Sequence, residues 1–283
     1  AILSVSVVAL AVTGGIPKLQ TGQMPNADPA FTLKGRSNQQ KLGNPIEVQY
    51  GKVLRWPSYA AQPYNQYKNN QQWLYQLFCI GQGEYEIHSV NIGLSPVDNY
   101  QNVSYEIITP GNKPTLFPTN VITSADVNDI ELLGPNQSSY PGYSGPFILV
   151  PSGKTTTKIE CDVVFPSGLY KANSTGGLDT YNVTAQFQYQ LINDSGAAIG
   201  LWTDLTGLNV SYASVNSQSI TLESTVPVGR YQVRAVRTVA KSTNTQVSDR
   251  LVWSAMRCFL PDTNDYGNVT LLAVAAQATN NLN

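Results

Sequence analysis

In the stretch TYNVTAQFQYQLIN, Tyr181, Val183, Ala185, Phe187, Tyr189 and Leu191 alternate with Asn182, Thr184, Gln186, Gln188 and Gln190. Apolar positions in strict period two predict a strand with one face in a core and the other in water, and leave no helical alternative. Phe187 and Tyr189 are expected in that core, with Gln186 and Gln188 outside it. TTKIECDVVFP repeats the pattern through Ile159, Cys161, Val163 and Phe165, and RYQVRAVRT and RLVWSAMRCF add two more strands. Short strands between turn signals predict a sandwich or barrel.

The earlier chain has a looser texture. In WLYQLFCIGQGEYEI, from Trp73 to Ile87, an apolar run too short for a stable helix meets Gly81 and Gly83. Tyr85 and Ile87 then alternate with Glu84, Glu86 and His88, which predicts a β-hairpin turning at the glycines. PIEVQYGKVLRW predicts a strand whose phase is reset at Gly51. Residues 57–70 read as a tyrosine-rich polar loop, 17–44 as an extended arm, and 110–150 as Pro- and Gly-rich with few clear periods. The tail, VTLLAVAAQATNNLN, is apolar on both faces and needs a covered place in a sheet.

These shifts divide the chain. The reading is mainly β: an apolar start and arm over 1–30, a split β-barrel or sheet domain over 31–144 plus 255–283, and an inserted β-sandwich-like domain over 145–254. Tail residues 269–279 should lie against the domain that holds residues 45–108. The first twelve residues, AILSVSVVALAV, are shorter than the roughly 20 needed to cross a bilayer. They also lack the basic flank of a signal peptide, and are expected to be covered by a neighbouring subunit.

Composition fits an all-β protein with a polar, uncharged surface, or a subunit that buries much of its surface in an assembly. Of 283 residues, 12% are charged and 42% hydrophobic, so Asn, Gln, Ser and Thr must supply much of the wet surface. Net charge is −1 with no basic block, which excludes the electrostatic footprint of a nucleic-acid binder. Cys79, Cys161 and Cys258 lack metal-ligand spacing, and buried free thiols are expected.

A search for chemistry assigns no catalytic, cofactor-binding or metal residue. The single histidine, His88, lies in the wet phase of its strand, and its neighbour Ser89 points to the opposite face. GYSG at 142–145 lacks the spacing of a nucleophile elbow. Gly81 and Gly83 have no third glycine and no following helix, so no phosphate cradle is indicated. DTNDYG, from Asp262, starts like a calcium loop with Asn264 and Gly267, but Ala273 stands where the bidentate Glu belongs. Arg230, Arg234 and Arg237 differ in strand phase and read as pairing residues. Seven N-x-[ST] triplets, at Asn102, Asn136, Asn173, Asn182, Asn193, Asn209 and Asn268, decide little in a chain this rich in Asn, Ser and Thr.

Several blocks occur in one order: NPIEVQYGKV, QQWLYQLFCIGQGEYEI, DVVFPSGLY, GLDTYNVTAQFQYQLINDSGAAIGLW, PVGRYQVRAVRT, LVWSAMRCFLPD and YGNVTLLAVAAQATNNLN. Together, from about residue 31 to the end, they resemble the host-specificity (tail tip attachment) protein J family of long-tailed phages. The resemblance implies a structural virion protein with no enzymatic activity and no cofactor. It implies a homotrimeric central hub closing the distal end of the tail tube, supporting host attachment and DNA delivery. The implied partners are the distal tail protein, the tape-measure protein and receptor-binding or fibre proteins. The implied location is the tail tip of the virion, after assembly in the host cytoplasm. Sequence-specific contact with nucleic acid is not implied, and host-envelope contact would be made through parts of the family that this chain does not match. A competing reading, a secreted carbohydrate-binding or adhesin module, rests on Tyr59, Tyr64 and Tyr67 as sugar-stacking rings. A wall-degrading enzyme is a third reading, for which no catalytic set is recognisable.

Overall fold

The computed structural model describes residues 2–6, as backbone, together with 45–261 and 264–279. The elements in chain order begin with β1 (Ile2–Ser6), β2 (Val53–Arg55), β3 (Ser58–Tyr59), β4 (Tyr64–Lys68), β5 (Gln71–Gln82), β6 (Glu86–Ile92), β7 (Ser95–Pro96) and β8 (Val103–Ile108). Next come β9 (Val121–Thr123), β10 (Ile130–Glu131), β11 (Ser144–Ile148), β12 (Thr156–Phe165), β13 (Tyr170–Ala172), β14 (Leu178–Asp179) and β15 (Tyr181–Leu191). Then follow β16 (Thr203–Tyr212), β17 (Gln218–Gly229), β18 (Tyr231–Arg237), β19 (Val247–Ser248), β20 (Val252–Phe259) and β21 (Val269–Gln277). Among the described residues the fold is mainly β, and a 3-10 turn at Val97–Asn99 is its one helical element.

The split domain is built on β21. This strand is buried at every position and lies antiparallel between β5 and β8, in the order β3-β5-β21-β8, with β4 also on β5. The tail therefore joins the domain holding residues 45–108, as its two apolar faces require. Period two sends Leu74, Phe78 and Ile80 of β5, with Leu272, Val274 and Ala276 of β21, into one core shared with Val90 and Ile92 of β6. The alternate residues, Tyr75 and Leu77 with Leu271, Ala273 and Ala275, enter a second core with Tyr64, Phe117 and Phe259. The sheets of this domain are open and do not close into a barrel among the described residues.

The expected hairpin between β5 and β6 does not form. β6 lies in another sheet, β2-β1-β6-β7, where β1 runs parallel to both β2 and β6. β21, from the far end of the chain, takes the position beside β5 that a hairpin partner would fill. Gly83 does adopt positive φ, at 92°, whereas Gly81 is small for a different reason. A Cβ on Gly81 would lie 2.8 Å from both the Glu47 carbonyl oxygen and the Tyr85 hydroxyl. Two further readings change. Residues 57–70 hold β3 and β4 in place of a loop. Residues 45–50 belong to no strand, and Gln82 N donates to Glu47 O there, leaving Ile46, Val48 and Tyr50 exposed. Within 1–30, residues 2–6 pair inside their own chain; the arm at 17–44 lies outside the described residues.

The sandwich packs sheet β10-β20-β12-β17, with β9 on β20, against sheet β11-β18-β15-β16. Ile159, Cys161, Val163 and Phe165 of β12 meet Val183, Ala185 and Phe187 of β15 in one core around Trp253. The Phe187 and Phe147 rings both meet the Trp253 ring edge-on, with centroids at 5.5 and 5.7 Å. A small sheet, β14-β13-β19, lies apart from these two. β20 stays paired with β12 as far as Phe259, so this sandwich strand continues past the expected boundary at 254. β9 and β10, which precede residue 145, pair with the same strand.

All three thiols are free; Cys161 and Cys258 are buried and Cys79 is half-buried. Burial pushes the Cys258 thiol up to about 12, and raises Cys161 and Cys79 as well. Only the thiolate reacts readily. Incubation of native protein with a thiol reagent at pH 8 should therefore leave Cys161 and Cys258 unmodified and label Cys79 slowly. Rapid labelling of all three before denaturant is added would contradict the burial.

Candidate functional site

A group of ionisable side chains lies where the two domains meet. With Ile159, Cys161 and Val163 turned into the sandwich core, period two aims Lys158, Glu160 and Asp162 out of the other face of β12. β4 of the split domain covers most of that face, burying Glu160 and Asp162 and leaving Lys158 one-third exposed. Gln66 donates to Glu160, the Tyr67 amide donates to the Thr221 hydroxyl at 2.8 Å, and Thr221 donates to Asp162 at 2.6 Å. Asn70 holds the neighbouring part of β17, donating to the Ser217 carbonyl at 3.1 Å and accepting from the Ser219 amide at 2.7 Å.

Between the carboxylates lies Arg257 of β20. Both of its terminal nitrogens donate to one Asp162 oxygen, and its Nε lies 3.3 Å from Glu160 Oε2. Lys158 reaches Glu160 at 2.8 Å and Glu223 at 2.9 Å. Glu160, Asp162 and Arg257 are all buried. Burial pushes Asp162 up to about 6, and the neighbouring Arg257 and Thr221 only partly offset that rise. An apolar flank completes the junction. Tyr64 stacks on Tyr75 with ring centroids at 4.8 Å and meets Phe259 edge-on at 5.8 Å.

A second polar group covers the outer face of β15, β16 and β18. The Arg234 guanidinium is clamped between the Tyr143 and Trp202 rings, 3.8 and 3.9 Å from their centroids. Gln188 accepts from Arg234 Nε and Nη2 and donates to Asp204, which also accepts from Gln186. Phe187 is in the core as expected and Tyr189 packs half-buried against it, but Gln188 is more than an ordinary surface residue. Gln188→Ala should cost about 1 kcal/mol in urea unfolding, the usual net worth of such hydrogen bonds. A variant as stable as the parent would show that water replaces them.

The structure separates the other sequence candidates. His88 is exposed, 4.0 Å from Glu86. Tyr143 of GYSG is part of the Arg234 clamp. Arg230 donates to the Val150 and Asn193 carbonyls, and buried Arg237 pairs with Asp249 at 2.7 Å. Asp262 lies outside the described residues; Asp265 accepts from the Gly267 amide in a turn. Among the described residues no group of His, Cys, Asp and Glu is arranged to hold a metal. Tyr59 stacks on Phe78 and Tyr64 on Tyr75, so two of the three rings offered for sugar stacking are taken up by the protein itself, while Tyr67 is half-buried at the junction.

These features define an all-β protein in which a sandwich is joined to a split sheet domain through a buried, charged contact. Residues 143–262 match the family described as tip attachment protein J, FNIII-A domain. Over these residues the chain is therefore similar to a domain of tip attachment protein J, the family its sequence blocks resemble. No curated protein gives a significant match. Among solved structures, the receptor binding domain of the spike protein P1 from bacteriophage PM2 is 12% identical, covering 48% of this chain and 98% of that one, with a TM-score of 0.23. The stem and receptor binding domain of the same spike is 11% identical, covering 63% and 97%, with a TM-score of 0.25. Overlap this low carries no argument about this chain.

Proposed function

We propose that this chain is the central-hub component of a phage tail tip. In this reading it is a non-enzymatic structural protein that closes the distal end of the tail tube as a homotrimer and supports host attachment and genome delivery. The observation that carries the reading is the family match over residues 143–262, within blocks that resemble protein J in the same order on both sides of it. The surface of the split domain supports it. Ile46, Val48, Tyr50, Leu54 and Trp56 are exposed along one short segment, the kind of apolar strip that subunit contacts bury. Partners in this reading are other copies of the chain, the distal tail protein, the tape-measure protein and receptor-binding or fibre proteins. The stacking of Tyr59 and Tyr64 on rings of the protein itself weighs against a sugar-binding module.

A phage carrying a stop codon early in this gene tests the role. Filled heads with absent or unfinished tails are expected, restored when the protein is supplied in trans. Normal tails that fail only at adsorption would point to a peripheral receptor binder and contradict the hub reading.

A further inference from the structure

We propose that copies of this chain join head to tail, with the apolar strip at residues 46–56 of one copy seated on the exposed β8 edge of the next. The inference rests on the hub reading, in which several copies surround the tail axis, and it names the two surfaces that meet. The strip is anchored to its domain through polar groups. The Glu47 carboxylate reaches Arg55 at 2.8 Å, and the Glu47 carbonyl accepts from the Gln82 amide at 3.1 Å. The Gln49 amide donates to the Tyr85 hydroxyl at 3.1 Å. The alternate side chains Ile46, Val48 and Tyr50 stay exposed, Tyr50 at 86%. Leu54 and Trp56 extend the same exposed strip.

β8 offers the second surface. It pairs with β21 along one side and with no other strand among the described residues, which leaves a free sheet edge. In register with β21, Ile107 lies beside Leu272 and Tyr105 beside Val274. Leu272 and Val274 are buried in the core shared with β6, whereas Ile107 and Tyr105 remain exposed, at 37% and 41%. The apolar face of this sheet thus runs one strand further than the described elements that cover it.

The two surfaces lie at opposite edges of the split domain. In the order β3-β5-β21-β8, the strip runs through Pro57 into β3 at one edge, and β8 forms the other. Different surfaces on opposite edges make a heterologous contact. Each copy uses its strip toward one neighbour and its β8 edge toward the other, and the series closes into a ring where the rotation allows. Seating one on the other removes from water the five large apolar side chains of the strip and the two of β8. Aromatic residues such as Tyr50, Trp56 and Tyr105 are the types that contacts between chains favour.

A photocrosslinking probe tests the pairing. Phage is grown with p-benzoylphenylalanine in place of Tyr50, a position exposed enough to leave the fold untouched, and purified tails are irradiated. Covalent species of two and three copies are expected, with crosslinked peptides joining position 50 of one copy to residues 103–108 of another. Crosslinks between two strips, crosslinks confined to one copy, crosslinks to a different tail protein, or no crosslink at all would overturn the pairing and leave the hub reading in place. Tails that lack this chain would contradict the hub reading, and the purified chain, irradiated with the same probe, then decides the pairing. A join from position 50 to residues 103–108 of a second copy supports it there, and any other product, or none, overturns it.

Discussion

Arg257→Met is expected to destabilise the protein by about 3–5 kcal/mol, the usual cost of removing one partner from a buried ion pair. The loss comes less from the missing attraction than from what remains. Asp162 and Glu160 would keep their places in the closed junction with no guanidinium between them, and Lys158, reaching Glu160 from a more open position, serves only one of them. A buried carboxylate in that state either takes up a proton or forces the contact apart. Urea unfolding of parent and variant at pH 7.5 measures the effect. A loss below about 1 kcal/mol would place these residues in a solvated contact, contrary to the structure. Lys158→Met should cost less, because its ammonium is one-third exposed.

Phe187→Ala should cost about as much, 3–5 kcal/mol, by a different route. The ring is fully buried at the centre of the sandwich and meets Trp253 edge-on, so truncation leaves a cavity between the two sheets where neither backbone moves easily. The same denaturation experiment reads it. The pair Phe187 and Trp253 should be non-additive, since the two rings share one contact. Matching losses for Phe187→Ala and Gln188→Ala would mean that the register of β15 is misplaced.

Much of the fold was legible because period two is local. β15 occupies the stretch the alternation marks, and β12 sends the expected residues into the core. What alternation cannot show is what lies over the polar face. Glu160 and Asp162 have the spacing of a wet face, yet another domain covers them, and a carboxylate facing water or facing Arg257 looks the same in sequence. The failed hairpin has a related cause. Gly-Gln-Gly describes a turn well, but the partner of β5 arrives from residues 269–277, and such non-local pairing leaves no mark near the turn.

Residues 46–50 alternate like a strand yet belong to no strand among the described residues, and Ile46, Val48 and Tyr50 stay exposed there. The clamp on Arg234 joins residues from three separate segments, and none of them is distinctive alone. The arginine pattern was the one available hint, and it pointed to pairing without naming Tyr143 or Trp202.

The most direct test of the central claim is an electron cryomicroscopy reconstruction of the tail tip in purified particles of the phage that encodes this chain. The account predicts three copies around the tail axis at the distal end, each with β4 seated on the β12 face of its own sandwich and with the 46–56 strip against a neighbouring subunit. A tip built without this chain, or copies found only at the periphery or along the tail, would contradict it.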